Sequence, residues 1–212
     1  TLDAPVDIYG PQAIASKKNG DKIYRYQVLV ALMLSSQTKD QITAKTISIL
    51  QNYGLTPENI NNTSVEKINE LIKHSGFHNL KSKYIKKTSE ILINDYDGDI
   101  PKTLEELIKL PGVGYKMAIL AMNIAWKINC GISVDTHVHR VSNRLGWVKT
   151  NKAEKTRKEF RQRLLNELEL ALSKAQNDYC SGDLKNDMLE KHHKSVRNLV
   201  YAIENILLFG LK

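Results

Sequence analysis

Helix start and stop signals recur along the sequence, and no segment shows a sustained alternation of apolar and polar residues. Three pairs have the capping-box spacing, in which two side chains satisfy amides at a helix start: Thr38 with Gln41, Thr63 with Glu66, and Thr103 with Glu106. Glycines that can end helices follow at Gly54, Gly76, Gly98 and Gly131. The apolar run at residues 28–34 could be a buried strand. The segment from Tyr24 to Met33 that overlaps it is long enough to favour a buried helix. The polar residues 177–186 predict a surface loop. We therefore predict an all-α protein.

Composition narrows the class of protein. Of 212 residues, 42% are hydrophobic and 25% charged, which excludes a disordered chain. The length allows one domain or two small lobes that share a cleft. The net charge of +8 fits nucleic acid, an anionic membrane or simple solvation equally well. Without an apolar run of roughly 20 residues or a signal-peptide pattern, neither a membrane span nor secretion is expected.

Residues 103–116 predict a helix-hairpin-helix. Pro111 ends the first helix, and Gly112 and Gly114 leave no side chain between the turn's amides and an approaching anion. With Val113 between them, these glycines are predicted to hold one DNA phosphate without reading base sequence. A plain αα-hairpin is the alternative, although the complete Leu-Pro-Gly-Val-Gly-x-Lys string favours phosphate binding. A lysine cluster on a nearby predicted helix adds charge but is more often a solvated face: Lys81, Lys83, Lys86 and Lys87.

Lys116 lies in the first turn of the second hairpin helix, which is predicted to run to about Lys127. The apolar residues 117–122 that follow predict partial burial of the Lys116 side chain. Burial and the positive end of the helix dipole both favour the neutral amine. Because a neutral amine can attack a sugar C1′ and form a Schiff base, Lys116 is the candidate nucleophile.

Asp135 is the candidate carboxylate. It lies in the segment Val-Asp-Thr-His-Val-His-Arg, and a carboxylate near the sugar would stabilise oxocarbenium character as a glycosidic bond breaks. For an isolated aspartate before a helix, N-capping is the more common role, and the two roles are compatible. His137, His139 and Arg140 follow and are predicted to pack or to contact phosphates. Histidines at i and i+2 do not share a helix face, so no metal site is expected.

Together these motifs resemble the endonuclease III family of DNA glycosylases, most closely its eukaryotic-type members. The resemblance is carried by Ala-Pro-Val-Asp at residues 4–7, Leu-Met-Leu-Ser-Ser-Gln-Thr-Lys-Asp at 32–40, Gly-Asp-Ile-Pro at 98–101, Leu-Pro-Gly-Val-Gly-Tyr-Lys at 110–116, Val-Asp-Thr-His-Val-His-Arg at 134–140 and Leu-Leu-Phe-Gly at 207–210. The hairpin lysine together with the downstream Val-Asp-Thr-His is the most specific part. Non-enzymatic hairpin modules lack that aspartate, and adenine-mismatch glycosylases typically lack the lysine.

The resemblance implies two α-helical lobes that flank a DNA groove. Residues 21–133 would form a six-helix barrel that contains the hairpin, and residues 1–20 with 134–212 would form the second lobe. The implied activity is that of a bifunctional glycosylase and AP lyase of base excision repair, which removes oxidised pyrimidines with Lys116 as nucleophile and Asp135 as essential carboxylate. Gln37 matches a glutamine that fills the space left in the duplex. Phe77 lies where relatives carry an apolar wedge, with core packing as an equal alternative.

Relatives usually carry a [4Fe-4S] cluster on four cysteines after the segment that matches residues 207–210. Cys130 and Cys180 lie at the wrong positions to replace those ligands, so no cofactor is expected within these residues, and a [4Fe-4S] cluster is expected only if the natural chain extends past Lys212. The expected partner is double-stranded DNA with a damaged pyrimidine or an abasic site, bound by a monomer in the nucleus or mitochondrion. A DNA-binding module without chemistry and a glycosylase for another lesion remain alternatives.

Overall fold

The computed structural model describes residues 8–180, and all regular elements in this range are helical, as predicted. The α-helices are α1 (Pro11–Ile14), α2 (Asp21–Ser35), α3 (Asp40–Tyr53), α4 (Pro57–Asn62), α5 (Val65–Leu71), α6 (His78–Tyr96), α7 (Leu104–Lys109), α8 (Tyr115–Ala121), α9 (Thr136–Arg144) and α10 (Ala153–Cys180). A π-helical segment, Met122–Trp126, follows α8 directly. Between residues 8 and 180, no helix has the length and apolar character that a membrane span requires.

The chain divides into two compact units, the first ending at Asn129 and the second beginning at Cys130. This division differs from the predicted one, which placed residues 1–20 in the second lobe. Helix α1 contacts α2 and α3, and the Gln51 side-chain amide donates to the Ile14 carbonyl at 2.8 Å. A four-residue helix is unstable alone, so these contacts tie α1 to the first unit.

Helix α2 is the centre of the first unit. All of its residues from 26 to 34 are buried, and it contacts α1, α3, α6, α8 and the π-helical segment. A helix that is apolar on every side belongs inside a protein, which explains why residues 28–34 form a helix rather than a strand. The buried Tyr26 hydroxyl and Ser89 Oγ are 2.7 Å apart and satisfy each other. Helix α6 packs against α4 and α5 on another side of the unit.

The predicted helix starts are accurate to within two residues. Thr103 caps α7 as predicted, because its Oγ1 accepts from the Glu106 amide at 3.3 Å. The predicted cap at Thr63 is wrong, since the neighbouring Ser64 caps α5 through the Lys67 amide. The predicted cap at Thr38 is also wrong: α3 begins one residue after Lys39, without a side-chain cap.

In the second unit, α9 packs against the start of α10. His139 Nδ1 lies 2.6 Å from Thr156 Oγ1, which joins the two helices. Helix α10 continues through Cys180, so the loop predicted at residues 177–186 is wrong for its first four positions, which contain neither glycine nor proline. The rest of that predicted loop lies outside the described residues, as do residues 207–210 of the family resemblance.

Candidate functional site

The glycine turn between α7 and α8 forms the predicted helix-hairpin-helix. Leu110 is the C-cap of α7, and Gly114 is the N-cap of α8. Val113 faces inward: its side chain is 5% exposed, and its amide donates to the Leu110 carbonyl at 3.1 Å. The Val113 side chain therefore anchors the turn to the core, and its predicted contact with DNA stays a prediction.

Glycine occupies positions 112 and 114 of the turn for different physical reasons. Gly112 has φ +76°, and a Cβ at this position would lie 2.5 Å from the Tyr84 ring. Gly114 has φ −88°, which any residue can adopt, and a Cβ there would meet no atom within 4 Å. Of these two positions, the fold requires glycine at 112 but not at 114. At 114 the missing side chain leaves open space beside the start of α8, where an anion is favoured.

Gln37 and Phe77 are both exposed and both have left-handed backbones. Gln37 has φ 50° in the turn after α2, and Phe77 has φ 57° at the residue before α6. The Phe77 side chain is 63% exposed, so the alternative of core packing is wrong. A left-handed non-glycine residue costs of order 1 kcal/mol, and such residues cluster at functional sites.

These two turns lie against each other. The Gly76 amide donates to Thr38 Oγ1 at 3.1 Å, and a Cβ on Gly76 would lie 2.5 Å from the Gln37 carbonyl oxygen. Only a glycine at 76 permits this approach. Gly76 was predicted to end a helix, but α5 already ends at Leu71. The glycine instead serves the contact that places Gln37 beside Phe77.

Gln37, Phe77 and Gly112 line one cavity of about 220 Å³. The structure thereby brings together three of the predicted DNA-contacting residues from three separate parts of the sequence. Tyr84, which sequence reasoning missed, also lines this cavity and packs against Gly112. Met33 from the last turn of α2 contributes an apolar wall.

Lys81 was also missed, because the lysine cluster on α6 was expected to be solvated. Lys81 is only 6% exposed, and burial lowers its pKa to about 8. A signal existed, since Lys81 shares a helix face with the buried Ile85, Thr88 and Leu92. Lys86 is half-buried and donates to the Asn61 and Thr63 carbonyls, while Lys83 and Lys87 are exposed as expected.

Lys116 is exposed, so the partial burial predicted for its side chain is wrong. The buried positions of α8 are Ala118, Ile119 and Ala121, and Lys116 is not among them. The apolar residues after Lys116 thus supply the buried positions of α8, while Lys116 itself lies at the surface. In this structure Lys116 is accessible in the first turn after the glycine hairpin.

In the second unit, Asp135 is the N-cap of α9. Its Oδ1 accepts from the Val138 amide at 2.8 Å, which confirms the capping role. His137 and Arg140 are exposed on the same helix, with Arg140 Nη2 3.5 Å from His137 Nδ1. His139 is instead occupied in packing within this unit, where Asn143 Nδ2 also contacts it.

The residues present do not fit an iron-sulfur cluster. Such a cluster requires four cysteine ligands, and the sequence has two cysteines. Cys130 is buried, and from residue 8 to residue 180 no group of three or more His, Cys, Asp or Glu side chains is arranged to hold a metal ion.

Residues 30–166 match the family model described as "HhH-GPD superfamily base excision DNA repair protein". The chain belongs to this superfamily. Among its members, Endonuclease III-like protein 1 of Bos taurus is 51% identical over 168 residues, which are 78% of this chain and 55% of that protein. These likenesses confirm the resemblance to eukaryotic-type endonuclease III. The chain spans about half the length of the curated relatives it matches.

Two solved structures of the superfamily also match. A trapped endonuclease III–DNA covalent intermediate, an estranged-adenine complex, has TM-score 0.60 and 33% identity over 63% of each chain. A non-covalent endonuclease III–DNA complex has TM-score 0.60 and 29% identity over 74% of this chain and 76% of the other. Lys116 and Asp135 both lie within the residues that match the superfamily model.

Proposed function

We propose that this chain is a bifunctional DNA glycosylase and AP lyase that removes oxidised pyrimidines and cuts the strand at the resulting abasic site. The observation that carries the proposal is an exposed lysine, Lys116, in the first turn after a glycine hairpin of the HhH-GPD type. The likeness to a trapped endonuclease III–DNA covalent intermediate supports a covalent route.

In the proposed reaction the Lys116 side chain gives up a proton and its amine then acts as the nucleophile. Its lone pair attacks C1′ of the damaged nucleotide, and the N-glycosidic bond breaks with its electron pair leaving on the base, which takes up a proton. The aminium nitrogen passes one proton to O4′ as the C1′–O4′ bond opens, and O4′ leaves with the electron pair as a hydroxyl, which gives a protonated Schiff base at C1′. Loss of a C2′ proton then expels the 3′ phosphate by β-elimination, and water hydrolyses the Schiff base to restore Lys116.

Asp135 is proposed to act on the same nucleotide. As C1′ loses the base, positive charge develops on the sugar, and a carboxylate stabilises it while accepting or relaying protons. The cap uses Oδ1 to accept from the Val138 amide. N-capping requires an oxygen acceptor and stabilisation of the sugar cation requires negative charge, so one carboxylate can have both roles.

Several exposed residues are proposed to contact DNA. The open space at Gly114 would admit one phosphate, and the exposed His137 and Arg140 would contact others. Gln37 and Phe77 would enter the duplex where the target nucleotide leaves it, since an unfilled gap costs a few kcal/mol. The net charge of +8 favours this polyanionic partner. We further propose that the protein acts as a monomer on nuclear or mitochondrial DNA.

An incision panel tests this function. Duplexes that carry thymine glycol, an abasic site, an oxidised purine or no lesion would be incubated with the protein, and base release and strand cleavage would be measured separately. We expect both for thymine glycol and cleavage alone for the abasic site. Salt-dependent binding with every duplex left intact would instead favour a module without chemistry, and preferred incision at the oxidised purine would change the assigned lesion.

The hairpin glycines allow a paired prediction. Gly112→Ala should destabilise the fold by about 1–3 kcal/mol, because it combines a left-handed backbone with a clash against Tyr84. Gly114→Ala should leave stability within about 0.5 kcal/mol, because its φ is ordinary and its surroundings are open. Thermal unfolding and DNA-binding titrations of both variants check this. Unchanged DNA affinity for Gly114→Ala would contradict the phosphate contact proposed there.

A further inference from the structure

A buried ammonium lies directly behind the turn that carries Gln37. Lys81 Nζ donates to the Leu34 and Ser36 carbonyls, each at 2.7 Å, and to Thr38 Oγ1 at 3.1 Å. These three acceptors surround Gln37 on both sides along the chain. Lys81 thus holds the backbone of the turn while the Gln37 side chain remains exposed.

The same contacts tie this turn to the helix that carries Phe77. Thr38 Oγ1 accepts from Lys81 Nζ and from the amide of Gly76, the residue before Phe77. The Lys81 amide donates to the Phe77 carbonyl at 3.0 Å, so Lys81 lies one helical turn after Phe77. One side chain therefore links the two exposed, left-handed residues of this surface.

The acceptors around the Lys81 ammonium indicate that this lysine fixes the backbone of the turn that carries Gln37. The last carbonyls of a helix carry partial negative charge, and Leu34 lies in the last turn of α2. A buried ammonium is costly unless several acceptors surround it, and here three do so. Among the ion pairs recorded for residues 8–180, none includes Lys81, so backbone and hydroxyl oxygens carry the interaction.

We propose that Lys81 is a positioning residue for DNA engagement, which holds Gln37 in its left-handed conformation and couples it to Phe77. The inference rests on the proposed function, because it assumes that Gln37 enters the duplex at the lesion. It adds that the two inserting residues are held as one preformed element before DNA arrives, so that the cost of ordering them is not incurred on binding.

Lys81→Met tests this with Lys86→Met as its matched control. Both substitutions remove one lysine charge from α6, and both lysines donate to backbone carbonyls of a preceding segment. Only Lys81 contacts the Gln37 turn. A general loss of charge or helix capping affects both variants alike, whereas loss of positioning affects Lys81→Met alone.

The readout is affinity for a duplex with a tetrahydrofuran abasic-site analogue relative to undamaged duplex. We expect this preference to fall about tenfold in Lys81→Met, the scale of one lost well-placed interaction, and to stay at the wild-type value in Lys86→Met. In a Gln37→Ala background, Lys81→Met should cause little further loss, because the lysine acts through the glutamine. Full additivity of the two substitutions would overturn the proposal.

A second variant covers the case in which Lys81→Met does not fold. Thr38→Val removes the hydroxyl shared by Lys81 and Gly76, and it should lower the same preference. An unchanged preference in Thr38→Val would overturn the proposal. The proposed function fails separately, if the wild-type protein neither releases thymine glycol nor cleaves an abasic site; a failed positioning role leaves that wild-type activity in place.

Discussion

Lys116→Gln should abolish borohydride trapping of the protein on thymine glycol DNA and reduce base release by at least about 10³-fold, the scale expected when a covalent nucleophile is lost. Glutamine has a similar reach, but its amide nitrogen has no available lone pair. Borohydride reduces the Schiff base to a stable amine, so a trapped complex reports that intermediate directly. Because Lys116 is exposed, the substitution should leave thermal unfolding unchanged within about 0.5 kcal/mol.

Lys109→Gln is the control for this experiment. Lys109 is exposed in the last turn of α7, so it belongs to the same hairpin, and its substitution removes the same charge. It should trap as the wild type does, with only a modest loss of DNA affinity. Normal trapping by Lys116→Gln would be incompatible with Lys116 as the nucleophile.

The hairpin was predictable because its signals are local. A proline, two glycines and the Thr103 capping box occur within twelve residues, and each acts on its own backbone. The exposure of Lys116 was not predictable in the same way. Sequence neighbours indicate that α8 has a buried face, but the phase of that face depends on which side of α8 meets α2.

The contacts that shape the cavity surface are long-range, and no local pattern reports them. The Thr38 hydroxyl that looked like a helix cap is taken by the Gly76 amide, 38 residues away in sequence. Lys81 reaches the Leu34 carbonyl across 47 residues. The left-handed backbones of Gln37 and Phe77 likewise have no signature in residue type, since neither is glycine or asparagine.

The family resemblance indicates candidate residues that the local helix and turn signals do not. Gln37 and Phe77 were identified as DNA-contacting candidates through the family resemblance alone. The structure then adds a physical observation to that inference, because both residues line one cavity with Gly112. The motif string thus indicates the candidate residues, whereas the contacts that hold them in place are visible only in the folded structure.

Asp135→Asn should reduce base excision by about 10²–10⁴-fold, the range associated with general acid–base and electrostatic groups, without unfolding the protein. Asparagine and aspartate are equally good N-caps, so the Val138 amide keeps an acceptor and α9 keeps its start. The substitution therefore removes the charge and retains the cap. Asp135→Ala removes both, and should additionally cost about 0.5–2 kcal/mol of stability.

The comparison of these two variants separates chemistry from capping. Excision of thymine glycol, binding to a tetrahydrofuran duplex and thermal unfolding would be measured for both. If Asp135 acts on the sugar, the variants lose excision to the same extent and only Asp135→Ala unfolds at a lower temperature. If Asp135 only caps α9, Asp135→Asn excises at the wild-type rate, since its carboxamide makes the same contact with Val138 and the lost charge has no function.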